Sequence, residues 1–387
     1  MNFNYIKFYI TLIALLVYEL AMLLFGFDGV SLFKLIITGL VWLSFGVAFF
    51  EYFKFYHKFK NSIPYFAYVV LTILLSWNVI NVLRSVIFRD GTITTILGNV
   101  SAALAILVPF TIIFSYRLGN LRLLRKYYFT ILQIGIVFFF FFIALYGTGM
   151  SSPQLRALLV LLLPVMFLIP ILPFETIKNK FLVVLCVVLY IYVSILFGNR
   201  TNMIRSLLLI LSLCAIFLYY KFQLKWVLTL SCFALLIPVF LLQQSYATGD
   251  SAFETYLSGD ADDDLNTDTR TFLYTELFDD LITNNRVLIG KGGNGTYYSA
   301  YFNEADINET DQRNNIEVGI LGILLKGGMV AVILNLLVLI SAIYNAFFKS
   351  KNIYNVGLGF ILLIHTILLF VENYTIYSSY NIFIWVV

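Results

Sequence analysis

The sequence predicts an all-α integral membrane protein that crosses the bilayer about 11 or 12 times and keeps one large segment outside it. Three observations lead there. Hydrophobic residues make up 61% of the chain and charged residues only 12%, and mean hydropathy is +0.90, outside the range of soluble domains. The apolar residues fall in runs matched to a hydrocarbon core about 30 Å thick. The acidic residues are concentrated: residues 244–317 hold 15 of the 21, with only Arg270, Arg286, Lys291 and Arg313 as cations. That segment sums to −11 and the rest of the chain to +15. A bilayer cannot hold such a stretch, because its carboxylates and unpaired backbone groups would lose their hydration.

Taken in order, the expected spans are residues 8–26, 30–50, 63–82, 93–115, 127–146, 155–174, 181–197, 203–220 and 226–243. After the wet segment come 318–348 and 353–371, and 374–387 forms a short twelfth span or a half-inserted end. The chain therefore divides into a membrane domain (1–243), an outer loop (244–317) and C-terminal spans (318–387). The first span carries Glu19 and lacks a small-residue cleavage site, so it reads as a retained helix. Pro164, Pro170 and Pro173 break the 155–174 span. Cys186, Cys214 and Cys232 lie inside apolar runs, where a disulfide framework or metal knuckle is implausible.

Alternate loops separate by charge. One set holds 14 cations, from Lys7 through the Lys54–Lys60, Arg117–Lys126, Lys178/Lys180 and Lys221/Lys225 groups to Lys349 and Lys351. The positive-inside rule puts these loops and the N-terminus in the cytoplasm, and the acidic segment outside. The charge thus follows topology and gives no sign of nucleic-acid binding. The outer set is rich in arginine instead: 84, 89, 156, 200, 205, 270, 286 and 313. Arginine's planar fork suits bidentate grip on phosphate or carboxylate; the plainer alternative is snorkelling to headgroups.

Within the outer segment, residues 268–282 read as a helix, capped by Thr267 or Asp268, with Phe272, Leu273, Leu277, Leu281 and Ile282 at helical spacing. Such a helix would lie on the membrane or cover a cavity mouth. Residues Leu288 to Gly295 form a Gly-rich turn, where backbone can approach a ligand or another helix closely. It is not a P-loop, since the Gly-Lys-Ser/Thr ending is missing. The Asp260–Asp264 run lacks the glycine and glutamate that a calcium loop needs, and reads as a solvated acidic stretch. His57 falls in the cytoplasm and His365 in a span, so an outer zinc site or His-based triad has nothing to use. Arg313 and Glu317, four apart, are expected on one face of the helix that opens the next span. A helix-end ion pair is the other reading of that pair. The turn from Gly198 to Asn202 is so short that Arg200 and Arg205 must sit near headgroup level, facing a polar cavity or an anion.

Several of these residues, in order, resemble the O-antigen polymerase and O-antigen ligase superfamily, and most closely the Wzy-type polysaccharide repeat-unit polymerases. They are Asn199-Arg200-Thr201 opening a helix, Thr269-Arg270 with Phe272 and Tyr274, the Gly290/Gly292 turn, and Glu317 before the Leu324–Gly328 run. The motif-level likeness covers only about 198–205 and 268–328. The ligase branch usually carries a His-Asn pair where this chain has Arg313-Asn314-Asn315, which favours the polymerase.

The resemblance implies a GT-C-like, metal-independent glycosyltransferase without cofactor, in the bacterial inner membrane. It would transfer a growing glycan from undecaprenyl diphosphate to a new lipid-linked repeat unit at the outer face. Arg270, Glu317 and Arg313 would be catalytic. Arg200 and Arg205 would bind diphosphate, and Arg84, Arg89, Tyr274, Asn315, Gly290 and Gly292 would complete the substrate contacts. A chain-length regulator would be a partner. Ligation, transport of lipid-linked oligosaccharide and a non-catalytic scaffold are the competing readings. Transport is disfavoured by the lack of two similar halves.

Overall fold

In a computed structural model the described residues are 8–21 (except 9, 15 and 19), 32–61, 63–87, 107–116, 118–169, 172, 175–197, 200–222, 224–237, 271–298, 312–313, 316, 318–370 and 384–385. They are overwhelmingly helical. After helical residues 8–21 (α1) come α2 (Leu32–Lys60) and α3 (Tyr65–Ile87), then a 3-10 helix, Val108–Tyr116. α4 (Leu118–Tyr146), α5 (Ser152–Leu162), the single turn α6 (Val165–Leu168), α7 (Ile177–Phe197), α8 (Arg200–Phe222) and α9 (Trp226–Phe233) follow. Beyond the undescribed 238–270 lie α10 (Thr271–Thr283), a two-residue antiparallel pair β1 (Tyr297–Tyr298) and β2 (Gln312–Arg313), α11 (Gly319–Tyr344) and α12 (Ile353–Leu368).

Among the described residues, five helices are long and apolar enough to cross a membrane: 65–85, 122–146, 177–197, 205–222 and 319–349. The segments 152–168 and 353–368 are apolar but shorter. The fold is thus all-α with multi-pass membrane character. Of the expected spans, residues 93–106 of 93–115, residues 238–243 of 226–243 and most of 374–387 lie outside the described residues.

Local chemistry explains the punctuation. α5 opens with Pro153 in its first turn, and the Ser151 N–H is received by the Gln154 side chain at 2.8 Å. It stops at Leu163-Pro164 because proline has no N–H for the preceding turn. The expected 155–174 span is accordingly broken. At α12 the Asn352 side chain caps the Tyr354 N–H at 3.0 Å. The 107–116 end of an expected span is mostly 3-10 and packs on α2.

The main core is formed by the helices' inward faces, with Leu158, Leu162, Met166, Cys186 and Val193 fully buried or nearly so. Outward faces stay apolar, as lipid requires: in the Phe138–Phe142 run, Phe139 and Phe142 are buried while Phe140 and Phe141 are exposed. A second core stands apart. Leu273, Leu277 and Leu281 of α10 pack with Tyr297, Ile316 and Val318, and with Leu321, Leu324 and Leu325 from the start of α11. The helical stripe expected on α10 is present, but Ile282 faces outward. α10 lies against protein, not against an open surface.

Candidate functional site

The first site element is a break in α11. Helical geometry fails at Gly328, with φ 69° and ψ −174°. Its neighbour across the gap is the Gly-rich turn. The N–H groups of Met329 and Val330 donate to the carbonyls of Val287 (2.9 Å) and Leu288 (3.3 Å). In return, Lys291 N–H donates to Leu325 C=O at 2.7 Å and Gly292 N–H to Lys326 C=O at 3.0 Å. Trp77 Nε1 of α3 takes the Gly327 carbonyl at 2.9 Å. The backbone groups that a helix break would orphan are therefore satisfied by one turn and one indole.

Arg84 fixes the turn from the other side. Its Nη1 donates to Ile289 C=O (2.6 Å) and Asn81 Oδ1 (3.1 Å), and its Nη2 to Gly290 C=O (2.9 Å). The Asn294 N–H reaches the Ser85 hydroxyl at 3.2 Å. Trp77, Asn81, Arg84 and Ser85 recur at helical spacing, so one face of α3 becomes polar towards its Arg84 end. Lys291 closes the turn with an ion pair to Asp280 of α10 at 2.5 Å and a hydrogen bond to Thr296 C=O at 2.9 Å. Gly290 and Gly292, expected to approach a ligand or a helix, approach a helix.

Lys326 sits at this break and is 5% exposed. No acidic group among the described residues pairs with it. The carbonyls of its own helix end are already taken, so it is not needed there. A helix C-terminus offsets at most about 2 kcal/mol of a cation's cost, whereas burying an ammonium costs several. No described group explains the imbalance.

The second element lies where α7, α8 and α12 meet. Arg205 of α8 is 2% exposed, and its Nη1 donates to the Tyr190 hydroxyl of α7 at 3.0 Å. His365 of α12, also buried, is close enough to feel the Arg205 charge. Buried Ser194 and Thr366 flank these residues along their own helices and bond to backbone carbonyls at 2.7 Å. At a rise of about 1.5 Å per residue, all three principal side chains lie roughly 5–10 Å in from their helix ends. Arg205 thus meets a hydroxyl and an imidazole inside the bundle.

The two elements are linked through the helix ends. The Ile320 N–H at the start of α11 donates to Leu369 C=O, just past α12, at 2.9 Å. The Tyr274 hydroxyl of α10 donates to Phe370 C=O at 2.7 Å, and its burial raises its pKa above the ordinary phenol value. Tyr274 is therefore a clasp between α10 and α12.

One expectation is corrected. Arg313 and Glu317 do not share a helical face: Arg313 lies on β2 opposite Tyr297, Val318 is extended (φ −106°, ψ 123°), and α11 starts only at Gly319. Strand pairing with Tyr297 holds that backbone away from helix. Arg200 opens α8 as expected, but its side chain, like that of Arg313, lies outside the description; so do Arg89, Arg270, Asn315 and Glu317 altogether. Sequence reading missed Tyr190, His365 and Lys326. Their signal was available, since an ionisable or polar residue inside an apolar run is a site hypothesis by default. Among the described residues no group of three or more His, Cys, Asp or Glu gathers to hold a metal ion.

Fold and site together define a helical, multi-pass membrane protein with polar clusters near the ends of its spans. No family profile, curated protein or solved structure matches the chain.

Proposed function

We propose that this protein polymerises oligosaccharide repeat units carried on undecaprenyl diphosphate, at the outer face of the bacterial cytoplasmic membrane. The polymer's reducing-end sugar passes to a hydroxyl of the incoming unit: a C–O bond forms there, the bond to the lipid diphosphate breaks, and the hydroxyl proton leaves to a base. The leaving group is a stable anion that needs neutralisation more than protonation, which guanidinium groups supply without a metal. Arg205, Arg200 and Arg270 take the diphosphate; Glu317 receives or orients the acceptor hydroxyl, and Arg313 supports it.

The observation that carries this reading is the burial of the Arg205 guanidinium among α7, α8 and α12, beside Tyr190 and His365. A cation kept at that depth suits a phosphoryl group at the water–lipid boundary. Arg205→Met is expected to lower polymerisation roughly 100-fold or more, the loss typical of removing one donor to developing charge. Arg205→Lys should not restore it, because a point charge cannot replace the fork. Polymer ladders from complemented deletion strains read both. Normal ladders from Arg270→Ala would remove Arg270 from the scheme.

The break at Gly328 favours transport as a second reading, since discontinuous helices often form transporter sites. Here, however, the freed backbone groups are spent on residues 287–292. A deletion strain separates the readings. Single repeat units on the anchor support polymerisation, accumulated lipid-linked polymer supports ligation, and no exported unit supports transport.

A further inference from the structure

Lys326 is the least explained charge in the described protein. It is buried, no described acid faces it, and the three carbonyls around it already have Lys291, Gly292 and Trp77 as donors. On α3, Trp77, Asn81 and Arg84 are all committed to the break or the turn. The helical span 319–349, α11 with the π-helical turn Asn345–Lys349 after it, has 31 residues, about 46 Å, too long for a hydrocarbon core of about 30 Å. Residues 329–349 alone reach about 31 Å, so the break falls at one edge of the membrane and Lys326 lies just beyond it. The acidic segment leads into that end of α11, so this edge is the outer one by the charge pattern.

We infer that Lys326, buried at the Gly327-Gly328 break, is an anion-binding residue that takes a phosphoryl group from a membrane-embedded ligand. The inference rests on the proposed function for the ligand's identity, a prenyl diphosphate. It does not need the transfer reaction. An anionic phospholipid headgroup is the other source of the same chemistry.

The probe is farnesyl diphosphate binding to purified full-length protein in detergent, with inorganic phosphate and phosphatidylglycerol nanodiscs as separate arms. Lys326→Met should weaken farnesyl diphosphate binding by about tenfold or more, the loss expected for one charge-assisted hydrogen bond. Lys326→Gln provides the same reading if the Met variant does not fold. In unaltered protein, farnesyl diphosphate should protect Lys326 from an amine-acylating reagent, read by peptide mass spectrometry. Phosphatidylglycerol protecting Lys326 in place of farnesyl diphosphate would overturn the prenyl diphosphate assignment. Unchanged binding in the folded variants, or equal labelling with and without every probe, would overturn the anion site itself. If a deletion strain still makes normal polymer while Lys326-dependent binding persists, the polymerase reading fails and the site stands. If polymer is lost on deletion but binding ignores Lys326, the reverse holds.

Discussion

Two glycines interlock the Gly-rich turn with α11. Gly290 and Gly328 both have positive φ, and each backbone occupies the space where the other's Cβ would go. A Cβ on Gly290 would lie 2.5 Å from Gly328 N, and one on Gly328 would meet the Leu288 carbonyl still more closely. Neither neighbour is a flexible side chain. Gly328→Ala should therefore destabilise by roughly 2–4 kcal/mol, the sum of left-handed backbone strain and overpacking. Gly39→Ala, where nothing lies within 4 Å, is the control and should be close to neutral or slightly stabilising. Thermal unfolding in detergent measures both; equal melting of Gly328→Ala and parent would refute the interlock. The sequence made the Gly-rich turn visible as a place of close approach. It did not reveal the partners, because they are the backbone of α11 at 325–330 and the side chain of Arg84, which meets Ile289 across 205 residues of chain.

At the scale of elements, polar clasps hold helices that lipid alone does not order. Arg125 of α4 grips Glu175, just before α7, with Nε–Oε1 at 2.7 Å and Nη2–Oε2 at 2.6 Å, and Asn179 adds a third bond at 2.8 Å. Burial alone would raise the Glu175 pKa, but the bonds from Arg125 and Asn179 and the arginine charge outweigh it, leaving the carboxyl below its ordinary value. A depressed folded pKa gives stability that is complete above the unfolded value, about 4.3, and lost as pH falls through the folded one. Glu175→Gln should thus cost about 1 kcal/mol near neutrality, at the low end because the Arg125 side chain is 52% exposed. The difference should close below about pH 4, read as converging melting temperatures. A gap independent of pH would show that packing, not charge, makes this contact. Element limits were legible wherever a local signal existed: Pro164 stops α5, and α10 follows its leucine stripe. The Arg313–Glu317 helix was misread because strand pairing with Tyr297 is non-local and leaves no periodic trace.

For the whole molecule, the hydropathy runs foretold a helical, multi-pass membrane protein, since the solvent preference of long segments is a summed property. What they could not give is how the segment around α10 is fastened, because that depends on a few backbone bonds between distant segments. Among the described residues the fastening includes Arg84 on the turn carbonyls, the turn inside the α11 break, and Tyr274 with Ile320 on the end of α12. The small core around Leu273, Leu277 and Leu281 has few residues compared with the bundle core, so it should open first. Arg84→Ala removes one fastening while leaving every apolar contact of α10 in place. Amide exchange in residues 287–294 should then quicken by about tenfold or more, as expected for hydrogen bonds to a charged group. Exchange in α7 and α8 should not change. Tyr274→Phe, which deletes one hydroxyl bond, should quicken exchange in α10 with a loss of about 1 kcal/mol. If Arg84→Ala instead loosened α7, α8 and the turn together, the small core around α10 would not be a separate cooperative unit. The two polar clusters would then belong to one rigid body, and changes at the Gly-rich turn should carry directly to Arg205.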